Sequence, residues 1–176
     1  MPLSTLRSAV RRCDDAIDRA FDPIRGRRSA DLTAYLASEA ADYSMAWHAI
    51  SGFVALVWRP GRPYALRLAV VLAAESVLVN GVLKRFTRRA RPALLEDRAF
   101  EVRRPKTSSF PSGHASSAAV AAVLLSEAVP PLRWLWLTLS AIVSASRIHN
   151  RMHHASDVAA GAVLGTVIGL VAKRIW

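Results

Sequence analysis

The chain has 176 residues, enough for one domain, and combines 52% hydrophobic residues with a formal net charge of +11. Its single cysteine, Cys13, excludes an internal disulfide and a cysteine metal cluster. Long apolar runs separated by Arg clusters are typical of a membrane protein. A nucleic-acid-binding protein would interleave its basic residues with aromatic ones, and this chain does not. We therefore expect a membrane-embedded protein that binds no nucleic acid.

Residues 1–44 precede the long apolar runs and contain two amphipathic segments. Apolar residues recur at helical spacing over 3–24, with Arg and Asp on the other faces. This pattern predicts a helix in the membrane interface; a helix packed on a soluble core is the alternative. Ser29 is a candidate N-cap for the second segment. No compact apolar core is present here, so we expect no signal peptide, and we expect residues 45–176 to form the membrane-embedded domain.

Five apolar segments follow. A membrane-spanning helix needs about 20 residues, and the second, fourth and fifth segments approach that length. The first and third need flanking residues to complete a span. We predict an all-α, polytopic membrane helical bundle with about five transmembrane helices plus the N-terminal amphipathic helices; a soluble protein with very apolar helices is the alternative. The segments cover 45–58, 64–83, 114–128, 132–148 and 155–172.

Several residues within these segments predict how the helices pack and how deep they lie in the membrane. Glu75 falls near the middle of the second segment, where a carboxyl must be protonated or paired inside the bundle, and we expect it to be structural. A repeat of glycine every four residues in the last segment predicts close approach of another helix. Tryptophans near segment ends predict contact with the membrane interface. The glycines are Gly161, Gly165 and Gly169, and the tryptophans are Trp58, Trp134, Trp136 and Trp176.

Polar residues gather at three segment ends. If every segment spans the bilayer, the ends of the second and fourth segments and the start of the third must lie on the same side. Three stretches far apart in sequence then meet at one membrane face. They are 83–92, 111–114 and 146–157.

Three cations in these stretches suit a phosphoryl group. Lys84 and Arg91 are seven residues apart, two helical turns, so both can point inward from one helix end. Arg147 adds a third positive charge. Basic residues beside a membrane helix usually mark topology or contact lipid headgroups, so a non-catalytic protein that binds anionic lipid is an alternative to an enzyme.

The remaining polar residues provide an anion-binding helix start and an acid–base pair. Ser112 offers a hydroxyl, and the backbone N–H groups of Gly113 and His114 begin a helix, a position that favours anions. His153 and Asp157 are four residues apart, so on one helical face the carboxylate can hold one imidazole nitrogen and free the other. One histidine can then attack phosphorus while the other protonates the leaving oxygen.

A metal site is the alternative use of the same stretch. His149, His153 and Asp157 follow one another at intervals of four residues, a spacing that can place ligands on one helix face. The neighbouring arginines would repel a cation, so we favour the phosphate interpretation.

Together these residues resemble the three-part signature of the type-2 phosphatidic acid phosphatase family. The resemblance covers residues 84–157 directly, and vanadate-binding haloperoxidases, which are soluble and larger, share the motifs. The matching positions are Lys84, Arg91 and Pro92 for K-x6-RP; Pro111, Ser112, Gly113 and His114 for PSGH; and Ser146, Arg147, His153 and Asp157 for SR-x5-H-x3-D.

The resemblance implies hydrolysis of a lipid phosphate through a phosphohistidine, without metal or cofactor. By position, His153 is the nucleophile, Asp157 orients it, and His114 is the acid for the leaving group and then the base that activates water. His149 and His154 match no signature position. The family usually has six spans, whereas this sequence predicts five. The implied phosphate-binding residues are Lys84, Arg91, Ser112, Gly113 and Arg147.

The distribution of charge predicts the side of the membrane. Basic residues are concentrated in 1–44 and 84–106, on the side of the three polar stretches, and the positive-inside rule places that side in the cytoplasm. We expect a lipid or prenyl phosphate substrate, dephosphorylated before export. The resemblance points to decaprenylphosphoryl-5-phosphoribose, a precursor of cell-wall arabinan; phosphatidylglycerophosphate, phosphatidic acid and undecaprenyl diphosphate remain open.

Overall fold

A computed structural model of the protein describes residues 3–94 and 100–175. Within these ranges all regular secondary structure is helical, which confirms the all-α prediction. A π-helical segment, Val77–Leu83, joins the fourth and fifth helices into one continuous rod. The helices are α1 (Leu3–Ala20), α2 (Arg28–Ala40), α3 (Met45–Val57), α4 (Arg62–Ser76), α5 (Lys84–Phe86), α6 (Gly113–Ala128), α7 (Arg133–His149) and α8 (Ala155–Ile175).

Helices α1 and α2 lie where the two amphipathic segments were predicted. On α1, Leu6 and Ile17 are 53% and 37% exposed, so part of its apolar side faces away from the protein. The expected Ser29 cap is wrong, because α2 already begins at Arg28. Gly26, with a φ of 80°, turns the chain there, and its N–H donates to Asp31 in the first turn of α2.

Helix α6 lies at the centre of the bundle, where most of its residues are buried against α4, α7 and α8. Its small Ala and Ser side chains let α8 approach closely. A Cβ at Gly161 or Gly165 would overlap the backbone of Ser112 or Ser116, which confirms the packing face predicted from the glycine repeat.

Among the residues that the structure describes, two helical stretches, Arg59–Phe86 and Ala155–Ile175, are long and apolar enough to cross a membrane by length and composition. Helices α3, α6 and α7 have 13, 16 and 17 residues, fewer than the roughly 20 that a bilayer core requires. The arrangement with five spans therefore stays a prediction.

A buried ion pair lies at the end of the bundle opposite the three polar stretches. Arg67 of α4 is 4% exposed, and its Nη2 lies 2.8 Å from Oε2 of Glu127 near the end of α6. The pair joins the start of the second apolar segment to the end of the third.

The tryptophans divide between surface and core. Trp58 and Trp134 are 41% and 70% exposed near helix ends, in keeping with an interfacial position. Trp136 is 5% exposed and belongs to the core, so its predicted interfacial position is wrong. It belongs to one core cluster with residues of α4 and α6, although it lies near the start of α7. Trp176 lies outside the described residues.

Candidate active site

The three polar stretches converge on one cavity of about 460 Å³. Two predicted site residues, Ser112 and Asp157, are 0% exposed and lie behind its wall. The others line the cavity itself, so the helix ends meet as the order of segments requires. Those lining residues are Lys84, Arg91, Gly113, His114, Arg147 and His153.

His153 occupies the turn between α7 and α8, and its two ring nitrogens have different partners. Nδ1 is 2.6 Å from the carbonyl oxygen of Ser109, and Nε2 is 3.2 Å from Nη1 of Arg91. A carbonyl only accepts hydrogen bonds and a guanidinium only donates them, so the proton is on Nδ1. The lone pair is therefore on Nε2, beside Arg91, and both residues line the cavity.

The surroundings of His153 keep it neutral. Burial, followed by the positive charges of Arg147, Arg91 and Lys84, holds the pKa of His153 well below its ordinary value. The hydrogen bond to Ser109 opposes this shift without overcoming it. A neutral imidazole is the form that can act as a nucleophile.

The four-residue spacing suggested a direct hydrogen bond between Asp157 and His153, but the two side chains do not form one. Oδ2 of Asp157 is 3.9 Å from Nδ1, because α8 begins only at Ala155 and the two residues do not share a helix. Oδ2 instead accepts hydrogen bonds from Oγ of Ser109 at 2.5 Å and from the backbone N–H of His154 at 2.9 Å. The carboxylate thus fixes Ser109, whose carbonyl orients the imidazole.

Lys84 and Arg91 reach the cavity by different routes. Lys84 follows the π-helical segment, and its Nζ donates to Oδ1 of Asn80 at 2.7 Å. The helix ends at Phe86, so Arg91 extends from a non-helical stretch, and the expectation of two cations on one helix end is wrong. Asn80 carries no motif signal, but π-helical turns often accompany functional sites.

Arg147 connects the cavity to the N-terminal region. It is 2% exposed, and its Nη1 donates to the hydroxyl of Ser38 on α2. The Nε atoms of Arg147 and Arg91 are buried without a hydrogen-bond partner among the described residues. Buried donors normally have acceptors, so these two groups suit an anion in the cavity.

The Ser112 hydroxyl of the PSGH turn, which was predicted to bind phosphate, is used within the protein instead. Oγ of Ser112 caps α6 by accepting from the N–H of Ala115 at 3.4 Å, and its own N–H donates to the Asp157 carbonyl at 3.0 Å. Gly113 lines the cavity next to Asn80, and a Cβ on it would lie 2.9 Å from Oδ1 of Asn80.

Asp42 is a cavity residue that sequence reasoning missed. Its Oδ1 lies 3.0 Å from Nε2 of His114, close enough for an ion pair although not aligned for a hydrogen bond. The adjacent Tyr43 and Ser44 have positive φ, which turns the chain toward the cavity between α2 and α3. The His114 imidazole holds the pKa of Asp42 below its ordinary value, and Arg103 adds to this against the effect of burial.

Polar side chains also line the cavity beyond the cations and His114. Glu75 is 2% exposed and forms part of the cavity wall, which its position in the sequence did not reveal. It adjoins Ser76 on the same helix, with His48 and Ser117 contributed by α3 and α6. The cavity is therefore larger than a phosphate site and has polar side chains beyond the cations.

The two other histidines of this region lie outside the cavity lining. Nε2 of His149 is 2.8 Å from Oδ1 of Asp31 on α2, and Nε2 of His154 is 3.3 Å from the Ala90 carbonyl. His149 and His153 thus do not converge. Over residues 3–94 and 100–175, no three His, Cys, Asp or Glu side chains are grouped to hold a metal ion.

A helical bundle with a cationic cavity and two histidines at one end defines a membrane protein built to bind and cleave a phosphate ester. The sequence pattern of the PAP2 superfamily matches residues 64–176, more than half of the chain. The chain belongs to this superfamily and is a lipid phosphatase.

Known proteins of similar sequence and structure agree with this membership. Decaprenylphosphoryl-5-phosphoribose phosphatase of Mycobacterium tuberculosis is 34% identical over 131 residues, covering 72% of this chain and 68% of the relative. The Mycolicibacterium smegmatis protein of the same name is 31% identical over 163 residues, covering 85% and 82%. The transmembrane PAP2-type phosphatidylglycerolphosphate phosphatase from Bacillus subtilis superimposes with a TM-score of 0.71 at 26% identity, covering 94% of this chain and 85% of its own.

Proposed function

We propose that the protein hydrolyses the phosphomonoester of a lipid- or prenyl-linked substrate through a phosphohistidine on His153. The observation that carries this proposal is the tautomer of His153, which leaves the lone pair on Nε2, beside Arg91, in a cavity that His153 shares with three cations. His114 lies in the same cavity, where it can serve the leaving group.

In the first step, Lys84, Arg91 and Arg147 hold the phosphate oxygens and Nε2 of His153 attacks phosphorus. The bond between phosphorus and the ester oxygen breaks, and protonated His114 gives its proton to that oxygen, releasing a lipid alcohol. The cations offset charge on the equatorial oxygens in the transition state.

In the second step, water attacks the phosphorus of the phosphohistidine. His114, now neutral, takes a proton from the water as the new P–O bond forms. The P–N bond breaks, which returns His153 to its starting tautomer and releases inorganic phosphate.

We infer that decaprenylphosphoryl-5-phosphoribose is the substrate. The two mycobacterial relatives bear this substrate in their names, and the cavity has room and polar side chains for the hydroxyls of a sugar beside the phosphate. Undecaprenyl diphosphate, phosphatidylglycerophosphate and phosphatidic acid are the alternatives. A diphosphate would bring a second phosphate, bonded to the leaving oxygen, next to Asp42, whereas the leaving oxygen of the phosphoribosyl lipid is that of a sugar hydroxyl.

Phosphate release by the purified protein in detergent tests the proposal. We expect release from the phosphoribosyl lipid to exceed that from the three alternatives, and His153→Ala and His114→Ala to abolish it. His154→Ala, a change of the adjacent histidine, is the matched control and should keep activity. Full activity of His153→Ala would contradict the mechanism. Faster phosphate release from another lipid would contradict only the inferred substrate and leave the mechanism standing.

We also propose that the protein is multi-pass and that the cavity opens toward the cytoplasm. The exposed arginines near the cavity end of the bundle support this orientation under the positive-inside rule. They include Arg7, Arg11, Arg12, Arg85 and Arg88.

A further inference from the structure

We propose that Arg89 and Asp14 are positioning residues of the active site, so that helix α1 takes part in aligning the nucleophile. The proposal rests on the proposed role of His153. Neither residue belongs to the three motifs, and Asp14 precedes the segment that matches the PAP2 superfamily.

Arg89 bridges α1 and α8 directly behind the site. Its Nη1 donates to Oδ1 of Asp157 at 2.6 Å and to the hydroxyl of Ser156 at 2.8 Å. Its Nη2 donates to Oδ2 of Asp14 at 2.6 Å. A planar guanidinium with several donors is suited to hold two carboxylates at once.

Asp14 is fastened to the start of α8 by further bonds. Its Oδ1 accepts from the backbone N–H of Ser156 at 2.7 Å, and its Oδ2 accepts from the Ser156 hydroxyl at 2.8 Å. Burial raises the pKa of Asp14, but the bonds from Ser156 and Arg89 more than offset this and leave it below its ordinary value. The carboxylate is therefore charged although it is 3% exposed.

Two connections lead from Arg89 to the nucleophile. Through its side chain, Arg89 fixes Asp157, which accepts a hydrogen bond from the Ser109 hydroxyl. Through its backbone, the Arg89 carbonyl accepts the N–H of Ser109 at 2.9 Å. Ser109 then sets the ring of His153 with its own carbonyl. A shift of Arg89 would displace the residue on which the imidazole depends.

The chemistry of this network favours orientation over stability. Burying charged groups has a large desolvation cost, and replacing buried ion pairs with apolar residues is often neutral or stabilising. A network of Asp14, Arg89 and Asp157 is thus a poor means of holding α1 in place, whereas directional bonds can fix the nucleophile within a fraction of an ångström.

The test compares Asp14→Asn with Asp15→Asn, and Arg89→Lys with Arg88→Lys, in the full-length protein in detergent. Asp15 and Arg88 are exposed neighbours and serve as matched controls. The probes are inorganic orthovanadate, which bonds to an attacking nitrogen, and inorganic sulfate, which needs only the cations. Thermal unfolding and steady-state phosphate release are measured on the same preparations.

We expect Asp14→Asn and Arg89→Lys to weaken orthovanadate binding roughly tenfold and to lower kcat by ten- to hundredfold, with sulfate binding and KM little changed. The controls should match the wild type. Equal losses of orthovanadate and sulfate binding would indicate a merely structural role and overturn the proposal, as would wild-type kcat in Asp14→Asn. If the wild-type protein bound sulfate but not orthovanadate, His153 would not be a nucleophile, and the proposed function itself would be contradicted.

Discussion

His153 has two neighbours that dictate its protonation state. A carbonyl acceptor fixes the proton on Nδ1, and a guanidinium donor at Nε2 excludes a second proton there. A third influence is the field of the surrounding cations. The imidazole is thus neutral, with its proton on Nδ1, before any substrate arrives.

This neutral state predicts how stability depends on pH. In the unfolded chain His153 takes up a proton near its ordinary pKa of 6.5, whereas in the folded protein its pKa is far lower. Between those two values the unfolded state binds more protons, so the free energy of unfolding falls as pH decreases below about 6.5, by up to about 1.4 kcal/mol per pH unit. Thermal unfolding between pH 7.5 and 5 should show a smaller slope in His153→Gln. Equal slopes would contradict the neutral, buried imidazole.

Sequence reasoning found the cations and histidines that line the cavity but missed some of the residues in contact with them. Spaced motifs identified His114, His153 and Arg147 because their identities are tied to one reaction. Asp42 and Ser109 are common residue types in turns, and their roles depend on long-range packing that no local spacing records. Support of this kind becomes visible only when the helices are assembled.

At the scale of elements, the bundle depends on how closely α6 and α8 approach. Glycine on α8 faces the backbone of α6, so the four-residue repeat was sufficient to predict this contact. Helix ends were harder to predict. A π-helical segment precedes Lys84, and a positive φ at Arg151 lies within the turn before α8, so motifs that look helical in sequence are not.

Substitution of one glycine tests the α6–α8 contact. A Cβ in Gly165→Ala would overlap the backbone of Ser116, so we expect a loss of about 1–3 kcal/mol in the free energy of unfolding. Gly52→Ala on α3 is the matched control, since a Cβ there meets nothing within 4 Å and should be neutral or stabilising. Thermal unfolding in one detergent measures both. Equal melting temperatures for the two variants would mean that the helices lie farther apart.

At the scale of the whole molecule, the sequence predicted an all-helical membrane protein and the meeting of three distant stretches. The number of membrane-spanning helices was harder to predict from the sequence. A helix enclosed by others, such as α6, does not have to present a bilayer-length apolar surface, so counting apolar segments is a weaker guide for it.

Cys13, exposed on α1, provides a test of orientation. If the cavity opens to the cytoplasm, a membrane-impermeant maleimide should label Cys13 in inverted vesicles and not in intact cells. The control combines Cys13→Ser with Trp134→Cys, which places a thiol at an exposed site near the opposite end of the bundle, and it should show the reverse pattern. Labelling of Cys13 in intact cells would place the cavity outside.

The ion pair between Arg67 and Glu127 has a consequence for biogenesis. Arg67 is synthesised before Glu127, and burying an arginine without a partner is unfavourable. We expect the helix that carries it to become stable only once α6 has been made and Glu127 can pair with Arg67. The ion pair would then couple the assembly of the two helices.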